Sequence, residues 1–261
     1  MPDLDRLKSA VDHLDRAPEV LACRRLTRQW PLLTAAYLGA RDLSYPFLLR
    51  LKDGRQLQLH EPGDLVTAWV IFFREEYRVD RSCKTIVDGG ANIGAFTLHA
   101  LASAPRAKIW ALEPFPETFH QLDLTVARNN QMSRVSVHQL ALAPESGTRH
   151  MAGGDLPSHK RVLVEEPSSQ DVSVEALPLG EFLDREGLET LDLLKLDIEG
   201  EEHPLLLNTP DAVLQRIGAM AMEYHPRAPK EPLFERLIAS GFRLEHDREI
   251  NAACGIAHFR R

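Results

Sequence analysis

The chain has 261 residues, 44% hydrophobic and 7% aromatic, which is enough to bury the core of one α/β domain and too little for two large ones. Its formal charge of -7 argues against a nucleic-acid phosphate backbone as the main partner and directs attention to small molecules or proteins. Cys23, Cys83 and Cys254 are far apart and form no CxxC pair, so neither a disulfide framework nor a zinc site is indicated.

No stretch has the length of a membrane span, and the charged start MPDLDRLKSAVDHLDR lacks the apolar centre of a signal peptide, so the expected location is the cytoplasm. Residues 1 to about 45 read as polar-faced helix. FLLRLKDGRQLQLH then reads as two strands around the turn signal Asp53-Gly54. In DLVTAWVIFFREEYRV, Val66, Val70, Phe73 and Tyr77 fall at helical spacing, as a core-facing stripe does. Residues 1–80 are therefore expected to form a helical and hairpin lead-in, and 81–261 the main domain.

From Thr85 the pattern becomes regular. KTIVDGG, AKIWALEP, VSVHQLAL, LDLLKLDIEG and GAMAMEYHP are short apolar runs that alternate with amphipathic stretches, the signature of a parallel sheet covered on both faces. PLFERLIASG reads as a helix stopped by Gly241, and FRLEHDREI and CGIAHFRR as a closing pair of strands, giving a doubly wound, mostly parallel seven-stranded sheet. The segment from Ala143 to Asp171 is rich in glycine, proline and serine and is expected to be a loop insertion over the site. Arg149, His150, His159, Lys160 and Arg161 make it locally basic; this fits an anionic acceptor, or equally a solvated surface balanced by Glu165 and Glu166.

Ligands of doubly wound sheets sit outside the carboxyl ends of the strands. Those ends carry Asp88, Glu113, Asp197 with Glu199, and Glu223 with His225. Burial alone would not select such a set, because unpaired buried carboxylates cost several kcal/mol. A strand running into TIVDGGANIG has the general form of a nucleotide cradle, and Glu113 lies where a ribose-binding acid would. Ala91, however, occupies the position where the dinucleotide fingerprint needs its second glycine for close approach of a pyrophosphate. A cationic, ribose-bearing ligand without phosphate, such as S-adenosylmethionine, needs no such glycine.

Here the sequence resembles the FkbM-type methyltransferases, a branch of the class I S-adenosylmethionine-dependent enzymes with a Rossmann-like sheet. The resemblance rests on VDGGANIGAFTLHA, ALEPFPETFHQL, LDLLKLDIEGEE and MEYHP, in that order, across roughly residues 75–226. It implies that Gly90, Asn92 and Gly94 shape the loop around the cofactor's methionine portion, with Asp88 orienting that loop or reaching the amino group. It implies that Glu113 accepts both ribose hydroxyls and that Ala141, with Leu140 and Leu142, lines the adenine.

Methyl transfer from a sulfonium needs alignment, and a base when the nucleophile is a neutral hydroxyl. Alternation puts Lys195, Asp197 and Glu199 on one side of their strand and Glu223 and His225 on one side of theirs, so the groups converge if the strands are neighbours. His225, with an ordinary pKa near neutrality, is the candidate base, oriented by Asp197 or Glu223. An alternative is that Asp197, Glu223 and His225 bind a divalent cation such as magnesium, which would activate the hydroxyl instead. A third reading makes Lys195 and Glu223 a structural ion pair. The expected activity is O-methylation of a small-molecule hydroxyl, on a sugar or a natural-product intermediate. The alternatives are methylation of nitrogen or of a macromolecule, and, from another class, a noncatalytic cofactor-binding or partner-binding module.

Overall fold

The change of apolar spacing along the chain is reproduced in a computed structural model that describes residues 16–153, 162–164, 168–225, 228–251 and 254–261. The chain divides between Glu76 and Tyr77 into two compact units. The first holds α1 (Ala17–Leu26), α2 (Trp30–Tyr37), β1 (Phe47–Arg50), β2 (Gln56–Leu59) and α3 (Pro62–Phe72). β1 and β2 pair antiparallel from Phe47 opposite Leu59 to Arg50 opposite Gln56, with Gly54 at φ +93° in the turn, as the Asp53-Gly54 signal predicts. α3 opens with a reciprocal cap between Glu61 and Asp64 and Pro62 in its first turn.

The stripe expected along α3 is met only in part. Phe73 and Tyr77 are buried but lie beyond the helix end at Phe72, and within the helix Val66 is half exposed whereas Leu65, Trp69 and Phe72 are buried. Nearly every side chain from Leu65 to Phe73 is apolar, so periodicity alone does not fix the phase. Trp69 settles it by stacking on Tyr37 at 4.1 Å between ring centroids and donating its indole N–H to Glu19.

The second unit contains β3 (Thr85–Gly89), α4 (Ala95–Ser103), β4 (Lys108–Leu112), α5 (Pro116–Arg128), β5 (Val135–His138), β6 (Ala141–Leu142), β7 (Gly147–Met151), β8 (Leu163–Val164), β9 (Val172–Leu177), α6 (Leu179–Arg185), β10 (Leu191–Leu196), α7 (Glu202–Asn208), α8 (Asp211–Leu214), β11 (Ile217–Tyr224), α9 (Lys230–Ala239), β12 (Arg243–Asn251) and β13 (Cys254–Arg260). Seven strands form the main sheet in the order β12-β13-β11-β10-β3-β4-β5. β11, β10, β3, β4 and β5 run parallel, and β13 is antiparallel to both β11 and β12. Ile86 and Val87 of β3 are both fully buried although they point to opposite faces, because both faces are covered, which is why the strand reads as a hydrophobic run. Leu194, Leu196, Phe182, Leu206, Met222 and Phe259 belong to the core on one side.

The strand expected from VSVHQLAL is in fact two. β5 ends at His138 in the main sheet, and Ala141-Leu142 pairs parallel with β9 in a second sheet of order β6-β9-β7-β8. The expected Ala143–Asp171 insertion is thus partly β structure, with β7 antiparallel to β9. His159, Lys160 and Arg161 lie outside the described residues.

Candidate active site

After β3 the backbone turns left-handed at Gly90 (φ +73°), Asn92 (φ +50°) and Gly94 (φ +91°), and α4 begins at Ala95. Gly90 is obligatory for the protein's own packing: a Cβ there would stand 1.8 Å from the carbonyl oxygen of Asp197. Asp88 is completely buried; its Oδ2 accepts from Thr97 Oγ1 at 2.6 Å and its Oδ1 faces Lys195 Nζ at 3.2 Å. Lys195, also buried, donates to the carbonyls of Gly90 at 2.7 Å and Gly89 at 3.3 Å. Burial acts to lower the Lys195 pKa, but Asp88 and Asp197 outweigh it and hold the ammonium above its ordinary value. The Lys195–Glu223 ion pair of the third reading is not formed; Lys195 pairs with Asp88 instead and, through the Gly90 carbonyl, ties the loop to β10.

A cleft opens at the carboxyl ends of β3, β4 and β10. Of the residues expected to meet cofactor, Gly90, Asn92, Glu113 and Ala141 line it; Asp88 and Gly94 lie behind the wall. Leu140 and Leu142 share the apolar side with Leu112, and β7 and β8 of the second sheet add Met151 and Leu163. Glu113 is nearly buried, and its two oxygens are aimed by the backbone: Oε2 accepts from Asn92 N and Oε1 from Phe115 N, each at 3.0 Å. The clamp holds both oxygens of Glu113 at the wall of the cleft.

β10 and β11 are neighbours with Leu196 opposite Met222, which brings the residues that follow them side by side. His225 Nε2 stands 3.4 Å from Glu199 Oε2 and 4.0 Å from Glu223 Oε1, while Nδ1 stands 3.2 Å from Glu202 Oε1. Asp197, Glu199 and His225 offer ligand atoms all within 4.8 Å of one another, and Asp197 and Glu199 also line the cleft. Glu199 is a non-glycine residue at φ +56°, a backbone conformation concentrated at functional turns.

The electrostatics reorder the expected roles. Burial would lower the pKa of His225, but Glu202, Asp197 and Glu199 raise it to about 9, so the imidazole is a cation at neutrality and not the nearest group to it. The groups that titrate near neutrality are carboxylates. Burial and the neighbouring Asp197 charge push Glu223 up to about 7 and Glu199 up to about 8. Asp197 is raised by burial as well, against the opposing pull of Lys195 and His225.

No role for Glu202, and no contact of Tyr77 with Glu223, was expected from the sequence. Glu202, the last acid of DIEGEE, is fully buried and accepts from Ile198 N at 2.7 Å and Gly200 N at 3.0 Å. Its signal was an acid just after a glycine turn at a helix start. Tyr77, also buried, donates its hydroxyl to Glu223 Oε2 at 3.3 Å and packs edge-on against Phe96. Nothing in the helical spacing around Tyr77 pointed to the end of β11.

A sheet of this order, with a glycine turn after its first parallel strand and acids at the following strand ends, has the doubly wound architecture of class I methyltransferases, with its ligand cleft at the carboxyl ends of the strands. The methyltransferase FkbM domain profile matches residues 88–246, more than half of the chain, and the chain belongs to this family of methyltransferase enzymes. It is 30% identical over 194 residues to methyltransferase sdnD of Sordaria araneosa, covering 62% of this chain and 75% of that one. It is 26% identical over 170 residues to 31-O-demethyl-FK506 methyltransferase FkbM of Streptomyces tacrolimicus, covering 54% of this chain and 65% of that one. The crystal structure of methyltransferase FkbM from Methylobacillus flagellatus shares the fold at TM-score 0.51 and 15% identity, over 95% of this chain and 60% of that one. Among the described residues no helix is long and apolar enough to cross a membrane.

Proposed function

We propose that this protein transfers the methyl group of S-adenosylmethionine to a hydroxyl oxygen of a small molecule, such as a sugar or a natural-product intermediate. In this reading Glu113 takes the ribose hydroxyls, the Gly90–Gly94 turn cradles the methionine portion with Asp88 fixing the turn from behind, and Ala141 lies along the adenine. Asp197, Glu223 and His225 serve the acceptor. The hydroxyl oxygen attacks the methyl carbon and forms the C–O bond as the C–S electrons return to sulfur; the hydroxyl proton passes to a carboxylate. Glu223, pushed up to about 7, suits that task, and the His225 cation lowers its pKa toward neutrality. The single observation that carries this reading is the convergence of Asp197, Glu199, Glu223 and His225 beside a cleft lined by Glu113. The FkbM relative's name, a methyltransferase of an O-demethyl compound, supports oxygen as the acceptor atom.

A screen of hydroxyl and amine acceptors with methyl-labelled cofactor tests it. O-methyl product is expected; N-methyl product alone refutes the oxygen assignment, and cofactor binding without turnover on any acceptor favours a binding module. With an acceptor in hand, Asp197→Asn and His225→Ala should lower turnover about a hundredfold with cofactor affinity unchanged. Chelator should leave the rate as it is, because a cation on this cluster would have to displace the His225 proton. Loss of activity on chelation and its return with magnesium would assign the cluster to a cation.

A further inference from the structure

Glu202 does not line the cleft as Asp197 and Glu199 do, yet it is fully buried and both its oxygens are bonded. A fully buried carboxylate is expensive unless its oxygens are satisfied. Here Oε1 accepts from Ile198 N at 2.7 Å and Oε2 from Gly200 N at 3.0 Å, so one side chain closes the turn that carries Asp197, Ile198 and Glu199. The same Oε1 stands 3.2 Å from Nδ1 of His225. The ring is thereby turned so that Nε2 faces Glu199 and Glu223. Glu199 is held at φ +56° inside this closed turn, and left-handed backbone at a non-glycine residue persists only where its surroundings over-determine it.

We propose that Glu202 is a positioning residue for methyl transfer: it fixes in one piece the turn bearing Asp197 and Glu199 and, through Nδ1, the orientation of the His225 ring. The inference rests on the reading that His225 belongs to the catalytic cluster. Four carboxylates, Asp197, Glu199, Glu202 and Glu223, surround that imidazole, and Glu202 is the only one of them facing Nδ1. A carboxylate behind a histidine fixes which nitrogen carries the proton and how the other is aimed.

Glu202→Gln tests it. The amide oxygen can still accept from Ile198 N, but its NH2 group opposes the N–H of Gly200 and the charge behind His225 is gone. Nitrogen-15 NMR of the imidazole should show the His225 midpoint falling by about one pH unit or more. The Gly200 amide should exchange about tenfold faster, while affinity for S-adenosylhomocysteine by calorimetry stays within about threefold of wild type. A midpoint that does not move, or a shift accompanied by joint loss of melting temperature and S-adenosylhomocysteine binding, overturns the proposal. Should E202Q fail to fold, the wild-type ring decides: a ring protonated through about pH 8 supports the assignment, and one titrating near about 6.5 overturns it. Wild-type protein that does not bind S-adenosylhomocysteine would count against the cofactor reading and leave the imidazole result to judge Glu202.

Discussion

Glu113→Gln is the most direct probe of the cofactor side of the cleft. The native carboxylate accepts two backbone N–H groups at 3.0 Å, from Asn92 and Phe115, and lines the cleft. Gln retains one acceptor oxygen and turns an NH2 group against the other backbone donor. One hydrogen bond to a charged group is worth about 1.5–3 kcal/mol, so at least that much stability is lost, and a similar amount is lost in binding if the carboxylate holds the ribose. At about 1.4 kcal/mol per tenfold, Kd for S-adenosylhomocysteine should rise by roughly 10- to 150-fold. A domain of this size loses about 2–4 °C of Tm per kcal/mol, so melting should fall by about 3–12 °C. Calorimetric titration and a thermal scan on the same preparation measure both. A lowered Tm with an unchanged Kd would refute the ribose role and leave Glu113 as the clamp of its own turn.

Lys195→Met should cost about 3–5 kcal/mol by stranding the buried charge of Asp88, and Asp88→Asn added to it should recover part of the loss in denaturant unfolding. Tyr77→Phe removes a hydrogen bond that lowers the Glu223 pKa, so the rising limb of the pH–rate profile should move to higher pH while cofactor affinity stays constant. Glu199, Glu223 and His225, at about 8, 7 and 9, all bind protons more tightly folded than unfolded. Their contribution to stability is therefore full below about pH 4.5 and is lost as pH rises to about 9. Tm of the cofactor-free protein should fall across that window, and Glu199→Gln should flatten the fall; a Tm that rises there contradicts the shifts.

Local pattern sufficed wherever the deciding interactions are themselves local. The doubly wound sheet was legible because a strand covered on both faces is predominantly apolar, as Ile86 and Val87 are, and amphipathic helices such as Pro116–Arg128 alternate with such strands to cover them. The hairpin at Asp53-Gly54 and the left-handed turn around Gly90 were legible for the same reason: few residue types tolerate that backbone. The strand ends also named Glu113, Asp197 and Glu199, which line the cleft, in advance, since topology assigns ligands to that edge, but not Glu201, which lines it too. Partners and protonation were decided only by the tertiary fold. Lys195 pairs with Asp88 and not with Glu223 because β3 lies against β10, with Lys195 in register opposite Asp88. His225 is charged and not a neutral base because α7 places the buried Glu202 behind it and the turn after β10 places Glu199 before it. Whether β5 continues past His138, and which face of α3 is inward, likewise depended on what each segment found to pair with. A pKa is the sum of burial and of charges brought in from separate strands, and no single stretch of sequence contains that sum.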